Sequence, residues 1–321
     1  MNRSRLVFLI IVGAALLIVG GGVLLDQMGT KLDSESDSGE SSATDTTPIM
    51  LTVAASPIGV DWIEQAAQTY NGVRRRIEGR IVEVRVTQQD SLPVWNSTGT
   101  WSIRDHPIVW IPETTAAVAY AGEVGLDFAI REASLASTVM IWGAPAERAD
   151  VLINEYGQIN WTSVQQASVD GAWSALGGNP AWGYVIPGFA QPSRYMSGIA
   201  ALLIASAEFH DQAALDAGSL NDQALIDWLR PVFESVPNFA TLGTYPAQAI
   251  ATRGTSAADI ALLPESEWLA NYQGLTTKVG ALTFVYPAYQ VWLDFPFAVW
   301  DGPATTETER AAADDFLAFL R

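Results

Sequence analysis

The residues of this chain best suited to chemistry are hydroxyls at the ends of apolar runs. Ser56 closes MLTVAAS, and Ser197 with Gly198 opens GIAALLIASAEF, each where a helix is due to begin. The first turn of a helix leaves backbone N–H groups unpaired and carries a partial positive charge, so it can hold an anion without an arginine. The serine hydroxyls add donors for an oxyanion or a sugar, or they cap the helix, which is the commoner role of serine there. Thr114 and Thr115, after Glu113, pose the same alternatives. Arg194 can grip a carboxylate or oxyanion through two parallel hydrogen bonds, or it faces solvent. Tyr195 can stack on a ligand or sit as a surface aromatic, and Thr138 is either a contact at a crossing between lobes or a β-branched strand residue. Glu265 and Glu267 suit a polar or cationic ligand, or serve as first-turn acids.

Catalytic chemistry has few candidates. A serine hydrolase needs a histidine base, and the chain holds only His106, beside Pro107, and His210, beside Asp211. Both positions suit surface or capping histidines. The sequence contains no G-x-S-x-G elbow, phosphate-cradling loop, H-E-x-x-H or aspartate-rich calcium loop. With zero cysteines there is no disulfide, thiolate metal site, cysteine nucleophile or lipidated cysteine. Asp314 and Asp315 are adjacent on a helix, diverge in direction and read as solvated charge. These patterns predict a protein that is not an enzyme and needs no metal or cofactor.

The elements that must position these side chains come next. With 49% hydrophobic residues the chain can bury a core large enough for two lobes. Most of its 12 tryptophans, such as Trp110 and Trp142 inside apolar strands, are expected in that core rather than in a sugar-stacking cleft. A net charge of -18 repels phosphate backbones, so nucleic acid is not an expected partner. The one basic run, Arg74, Arg75, Arg76 and Arg80, falls at an expected helix end, where the dipole favours cations. Residues 6–25 are all apolar or glycine, enough helix at ~1.5 Å per residue to cross a bilayer. Arg3 and Arg5 precede this segment and acids follow it, which places residues 1–5 in the cytoplasm and the body outside. A cleaved export signal is the alternative, but no small-x-small pattern follows Leu25. Residues 26–48, rich in Ser, Thr, Asp, Glu and Gly, read as a flexible tether.

From residue 50 onward strands and helices alternate. Strands are expected at 50–56, 81–86 and 107–112, and Asp61 opens a helix with Trp62, Ile63, Ala66, Ala67 and Tyr70 on one face. This order predicts mainly parallel sheets flanked by helices, with ligands bound beyond the carboxyl ends of the strands, where Ser56, Thr114 and Thr115 fall. A strand at 137–143 is expected to cross into a second lobe. It is followed by a helix over 145–156, a strand at 182–186, and helices from Ser197, over 222–235 and over 246–253. The strand 258–263 is expected to return across the hinge, ahead of strands at 282–287 and 289–294 and a last helix over 306–320. The expected fold is α/β, with lobe 1 formed by 49–136 and 266–321 and lobe 2 by 137–265.

Four stretches carry a resemblance to a known family. LTVAASP, PIVWIPETTAAV, WGYVIPGFAQPSRYMSGIAAL and FVYPAYQVWLDFPFAVWDGPATTETERAAADDFLAFLR follow one another in the order and spacing of the type II extracellular solute-binding proteins. From about residue 50 to 321 the chain resembles their molybdate-binding-protein-like branch, which includes ABC-transporter binding proteins. The resemblance implies the two-lobed type II periplasmic-binding fold, with two hinge crossings and the terminal helix packed on lobe 1. It also implies a small-molecule solute in the cleft, held at the helix ends that carry Ser56 and Ser197 and enclosed by contacts made only in the closed state. An ABC permease is then the expected partner, and the N-terminal helix the membrane attachment. A membrane-anchored sensor or assembly adaptor of the same fold is the alternative. Two departures bear on the ligand: Tyr195 stands where relatives carry serine, and Ala288 and Tyr289 stand where many carry Lys or Glu and then Gly. The full candidate set is Ser56, Thr114, Thr115, Thr138, Arg194, Tyr195, Ser197, Gly198 and Glu265, with an oxyanion among the candidate ligands.

Overall fold

The computed structural model describes residues 47–94, 101–236 and 239–321. The expected anchor at 6–25 and nearly all of the tether lie outside the described residues, among which no helix is long and apolar enough to cross a membrane.

Strand β1 (Ile49–Ala55) is central and fully buries Leu51, Val53 and Ala55. It feeds helix α1 (Val60–Val73), whose Ile63, Ala67 and Tyr70 recur at helical spacing and turn inward. The helix stops at Arg74, in the left-handed conformation with φ 57°. Strand β2 (Arg76–Ile77) then turns through Glu78 and Gly79, both at positive φ (51° and 84°), into β3 (Arg80–Gln88), as a two-residue hairpin of matching twist requires. The basic run therefore spans a helix end and a hairpin. Arg75 pairs with Asp315 at 3.0 Å, Arg76 donates to the Gly79 carbonyl at 2.6 Å, and Arg80 donates to the Thr47 carbonyl at 2.8 Å.

The chain continues through β4 (Val109–Ile111), α2 (Thr115–Glu123), β5 (Phe128–Glu132), β6 (Thr138–Pro145), α3 (Ala146–Tyr156) and α4 (Trp161–Asp170). It goes on through β7 (Pro187–Gly188), α5 (Met196–His210), α6 (Gln223–Ser235), α7 (Pro246–Arg253) and β8 (Ile260–Pro264). It closes with α8 (Glu265–Val279), β9 (Leu282–Val285), β10 (Trp292–Leu293), β11 (Phe297–Trp300) and α9 (Glu307–Leu320). One sheet has the order β2-β3-β1-β4-β11-β5; the other has the order β10-β6-β8-β7, with β9 also paired to β6.

The pairing is mixed, not mainly parallel. β1 lies parallel to β3 and β4, and β7 parallel to β8, but the remaining pairs are antiparallel. The cause is long-range: β11 arrives from the far end of the chain and inserts between β4 and β5, which no local pattern announces. β8 does not lead back to the first sheet. It runs antiparallel to β6, and β9 and β10, expected in lobe 1, also pair with β6, so the first sheet resumes only at β11.

Residues 182–186 do not form the expected strand either. Tyr184 makes one isolated bridge to Ala172, while the Ile186 N–H bonds to the Asp259 carboxylate at 2.9 Å and the Asp259 N–H bonds to the Ile186 carbonyl at 2.7 Å. Trp110 and Trp142 are buried as expected, and the buried apolar side chains form one continuous cluster through both sheets. The terminal helix α9 rests on α1: Phe316 meets the Tyr70 ring edge-on at 5.2 Å, and the Tyr70 hydroxyl donates to Asp315 at 2.7 Å. Asp315 is thus a structural tie and not merely solvated charge, whereas Asp314 is exposed.

Candidate functional site

Three adjacent parallel strands, β3, β1 and β4, release their loops at the same sheet edge. The Ser56 N–H reaches the Ile111 carbonyl at 2.9 Å and the Gln89 N–H reaches the Ala55 carbonyl at 2.8 Å, so the three loops are pinned together. They carry Ser56, Asp90 with Ser91, and Glu113. Ser56 is fully buried, and its hydroxyl accepts from the Gly59 N–H at 3.3 Å as α1 begins. Glu113 is 2% exposed. Burial pushes its carboxyl up to about 7, against the hydrogen bond that the Ser91 hydroxyl donates to it. Asp90 is also raised by burial, and its Oδ1 is enclosed with no hydrogen-bond partner among the described residues.

Elements of the second sheet approach this edge. The positive charge of Arg194 opposes the rise of the Asp90 carboxyl, and its guanidinium lies 5.6 Å from the centre of the Tyr195 ring. The Tyr195 hydroxyl is 3.1 Å from the Thr244 hydroxyl. Tyr245, the next residue, donates to the Pro57 carbonyl at 2.9 Å and so links the start of α7 to the loop after β1. Burial raises the Tyr245 phenol, and Asp61, Glu267, Asp90 and Tyr195 add to that rise in the same direction. A pocket of about 250 Å³ lies beside this link, lined by Pro57, Asp61, Tyr245, Ser266 and Glu267 among others. Burial pushes the Glu267 carboxyl up to about 8, against the hydrogen bond it accepts from the Ala247 N–H at 2.8 Å.

The sequence candidates fall into two groups. Ser56, Arg194, Tyr195 and Ser197 lie on the loops and helix starts just described. Ser197 is 5% exposed, and its hydroxyl makes no hydrogen bond among the described residues. In the first turn of α5 the Gly198 and Ile199 N–H groups already bond to the Tyr195 carbonyl at 3.0 and 3.2 Å, leaving the Met196 and Ser197 amides as the unpaired donors.

The second group is engaged in structure. Thr114 caps α2 by accepting from the Ala117 N–H at 3.2 Å, and Thr115 donates to Asp294 from its N–H at 2.9 Å and its hydroxyl at 3.1 Å. Asp294 therefore occupies the α2 terminus that an anion would need. Thr138 accepts from the Ser266 N–H at 3.0 Å, Glu265 accepts from the Tyr286 hydroxyl, and Gly198 packs where a Cβ would stand 2.4 Å from the Ala190 carbonyl oxygen. Among the described residues no group of three or more His, Asp or Glu is placed to hold a metal ion. His106 stacks on Trp300 with ring centres 3.9 Å apart, and His210 faces the Ser219 carbonyl at 3.1 Å.

Sequence reasoning missed Asp90, Ser91, Thr244 and Tyr245. The strand-end rule that selected Ser56 applies equally to Asp90 and Ser91 after β3. The helix start at Pro246 was legible, but the lean of Tyr245 towards Pro57, 188 positions away in sequence, was not.

A scan of the sequence against models of known protein families gives no match, and neither does a search of curated proteins. Solved structures do match. The periplasmic binding protein AfuA from Actinobacillus pleuropneumoniae, solved with fructose 6-phosphate bound, has a TM-score of 0.57 at 14% identity over 86% of this chain and 80% of its own. Iron-bound HitA from Pseudomonas aeruginosa gives 0.54 at 13% identity over 85% and 81%. The ferric binding protein from Campylobacter jejuni gives 0.53 at 13% over 84% and 80%. The fold of this chain is that of the periplasmic solute-binding proteins, as the resemblance in its sequence implies.

Proposed function

We propose that this chain is an extracytoplasmic solute-binding protein of the type II, molybdate-binding-protein-like branch, held at the membrane by residues 6–25, that captures a small solute for an ABC-type permease. The observation that carries this reading is the convergence of polar groups from two sheets: Ser56, Asp90 and Glu113 from one side, Arg194, Tyr195 and Tyr245 from the other. Each sheet with its helices is a lobe, and a solute between them favours closure because its contacts on one side are completed only by the other.

The donors at the α5 start suit an oxyanion, as the Arg194 guanidinium does. Asp90 narrows the choice. A carboxylate beside an anion site repels a bare oxyanion but accepts hydrogen bonds from a hydroxyl or amine. The solute class is therefore a small molecule with both an anionic group and hydrogen-bond donors, a description that fits the fructose 6-phosphate bound by AfuA.

The test is a thermal-stability screen of the full chain in detergent against phosphate, molybdate, sugar phosphates, sugars and amino acids. A ligand at about 100 times its Kd adds ~2.7 kcal/mol, and a hydroxylated anion is expected to lead the screen. Ser197→Ala should weaken that ligand without unfolding the protein. A screen in which no compound stabilises would remove the reading. Binding without uptake when the neighbouring permease is supplied would turn it to the sensor or adaptor.

A further inference from the structure

The first turn of α8 carries two acids, Glu265 and Glu267, and the fold uses them differently. Glu265 is taken by the Tyr286 hydroxyl. Glu267 is 6% exposed, and its Oε1 accepts from the Ala247 N–H at 2.8 Å, satisfying a backbone donor in the first turn of α7. Its Oε2 makes no hydrogen bond or ion pair among the described residues, and it is not sealed from solvent. The little surface that Glu267 keeps opens into the pocket of about 250 Å³ beside the Tyr245–Pro57 link. A carboxyl so deeply buried is costly unless its oxygens are met, and here one is not. The rest of the lining favours positive charge. Asp61 of α1 is a second acid with no ion pair among the described residues, and no lysine, arginine or histidine of those residues lines the wall. Asn271 spends its side-chain N–H on the Glu267 carbonyl at 2.9 Å and keeps its Oδ1 free. Asp61 and Glu267 both push the Tyr245 phenol up, and no cation opposes them there.

We infer that this pocket is a second binding site, for a small primary amine whose ammonium donates to Glu267 Oε2 and Asn271 Oδ1 and is balanced by the charge of Asp61. A charge-assisted hydrogen bond is the strong kind, and the unused Glu267 oxygen is its acceptor. The same lining selects an amine over a metal ion. No group of three or more His, Asp or Glu among the described residues is placed for a metal, whereas Ile58 and Ala270 give the wall apolar surface that an alkyl chain covers and a hydrated ion does not. None of Ser56, Asp90, Arg194 and Ser197 lines this pocket, so the inference goes beyond the proposed solute site and does not rest on it.

The probe is propylamine, titrated by ligand-observed NMR into the full chain in a non-ionic detergent and an amine-free buffer. Burial holds the Glu267 carboxyl at about 8, so an arriving ammonium replaces a proton. At pH 8.5 the acid is mostly ionised and a primary amine, with a pKa of about 10.4 like that of lysine, is still charged. Asp61 and Tyr245 are the other titratable groups on the wall, and burial moves Tyr245 up and away from this range. Saturable binding is expected at pH 8.5, binding at least about tenfold weaker at pH 6.5, and none of propan-1-ol, which matches the size without the charge. Glu267→Gln, which keeps an acceptor for the Ala247 N–H, should weaken propylamine at least about tenfold and abolish the pH dependence. Asp61→Asn, at an exposed position, should weaken it about threefold. No saturable binding, equal binding of propan-1-ol, the same affinity at both pH values, or an unchanged affinity in either variant would each overturn the assignment. Displacement of propylamine by an equal concentration of potassium would also overturn it, in favour of a bare ion. These titrations contain no anionic solute, so a failed solute screen leaves their result standing, and their failure leaves the solute site untouched.

Discussion

Glu267 is an acid held out of its ordinary range by burial, with a carboxyl at about 8 in the fold against 4.5 when free. The folded protein keeps a proton that the unfolded chain gives up, so this contribution is fully present below pH 4.5 and is lost as pH rises through about 8. Glu113 and Glu208, both pushed up to about 7 by burial, act in the same direction. Stability should fall between pH 5 and 8, with Glu267 alone contributing on the order of 3 kcal/mol. Melting curves of Glu267→Gln, whose amide oxygen can still accept from the Ala247 N–H, should show a shallower fall; an identical slope would remove Glu267 as its source. Asp90 offers a second test. Asp90→Asn keeps the shape and discards the charge, so titration calorimetry should show a hydroxylated anion binding about tenfold more weakly, as expected for loss of a charged hydrogen bond. Bare phosphate should bind more tightly. The reverse order would exclude Asp90 from the solute site.

At the scale of elements, the segment from Ala172 to Ile186 is held by one buried acid. Asp259 accepts from the Trp173 indole at 2.9 Å and from the Ile186 N–H at 2.9 Å, and it pairs with Arg148. The Arg148 guanidinium lies beside both Trp173 and Trp182, 5.4 and 5.2 Å from their ring centres. Removing one member of such a pair leaves a buried charge uncompensated, so Asp259→Ala should cost about 3–5 kcal/mol in chemical denaturation. A loss below 1 kcal/mol would mean the network does not hold the segment. The start of α5 depends on a close approach instead. A side chain at Gly198 would meet the Ala190–Pro192 backbone, and Gly198→Ala should destabilise by about 1–3 kcal/mol.

For the whole molecule, the Tyr245–Pro57 hydrogen bond is a tie between the two proposed lobes. One neutral hydrogen bond is worth ~1 kcal/mol, about a fivefold change in a closed-to-open ratio. Without ligand, Tyr245→Phe should enlarge the radius of gyration in solution scattering, and saturating ligand should restore it. Equal radii in both states would show that this bond does not govern closure.

The amino-acid sequence by itself determined the strands and helices whose apolar periodicity is strong: β1, α1, β6, α5, α6 and α9 stand within about two residues of where their patterns place them. The resemblance that anticipated the fold was legible in the same way, whereas the helix-start hydroxyls left cap and ligand contact open until the structure made Thr114 a cap and tied Thr115 to Asp294. Strand direction and partnership were not local. A short apolar run such as FAVW reads the same whether it pairs in parallel or inserts antiparallel between β4 and β5, so only the assembled sheet decided that β11 belongs to the first and β9 and β10 to the second. The raised acids were likewise invisible. Glu113 and Glu267 look like any loop or first-turn glutamate until packing removes their water, because the energy that displaces a proton is set by what surrounds a residue in space and not by its neighbours along the chain.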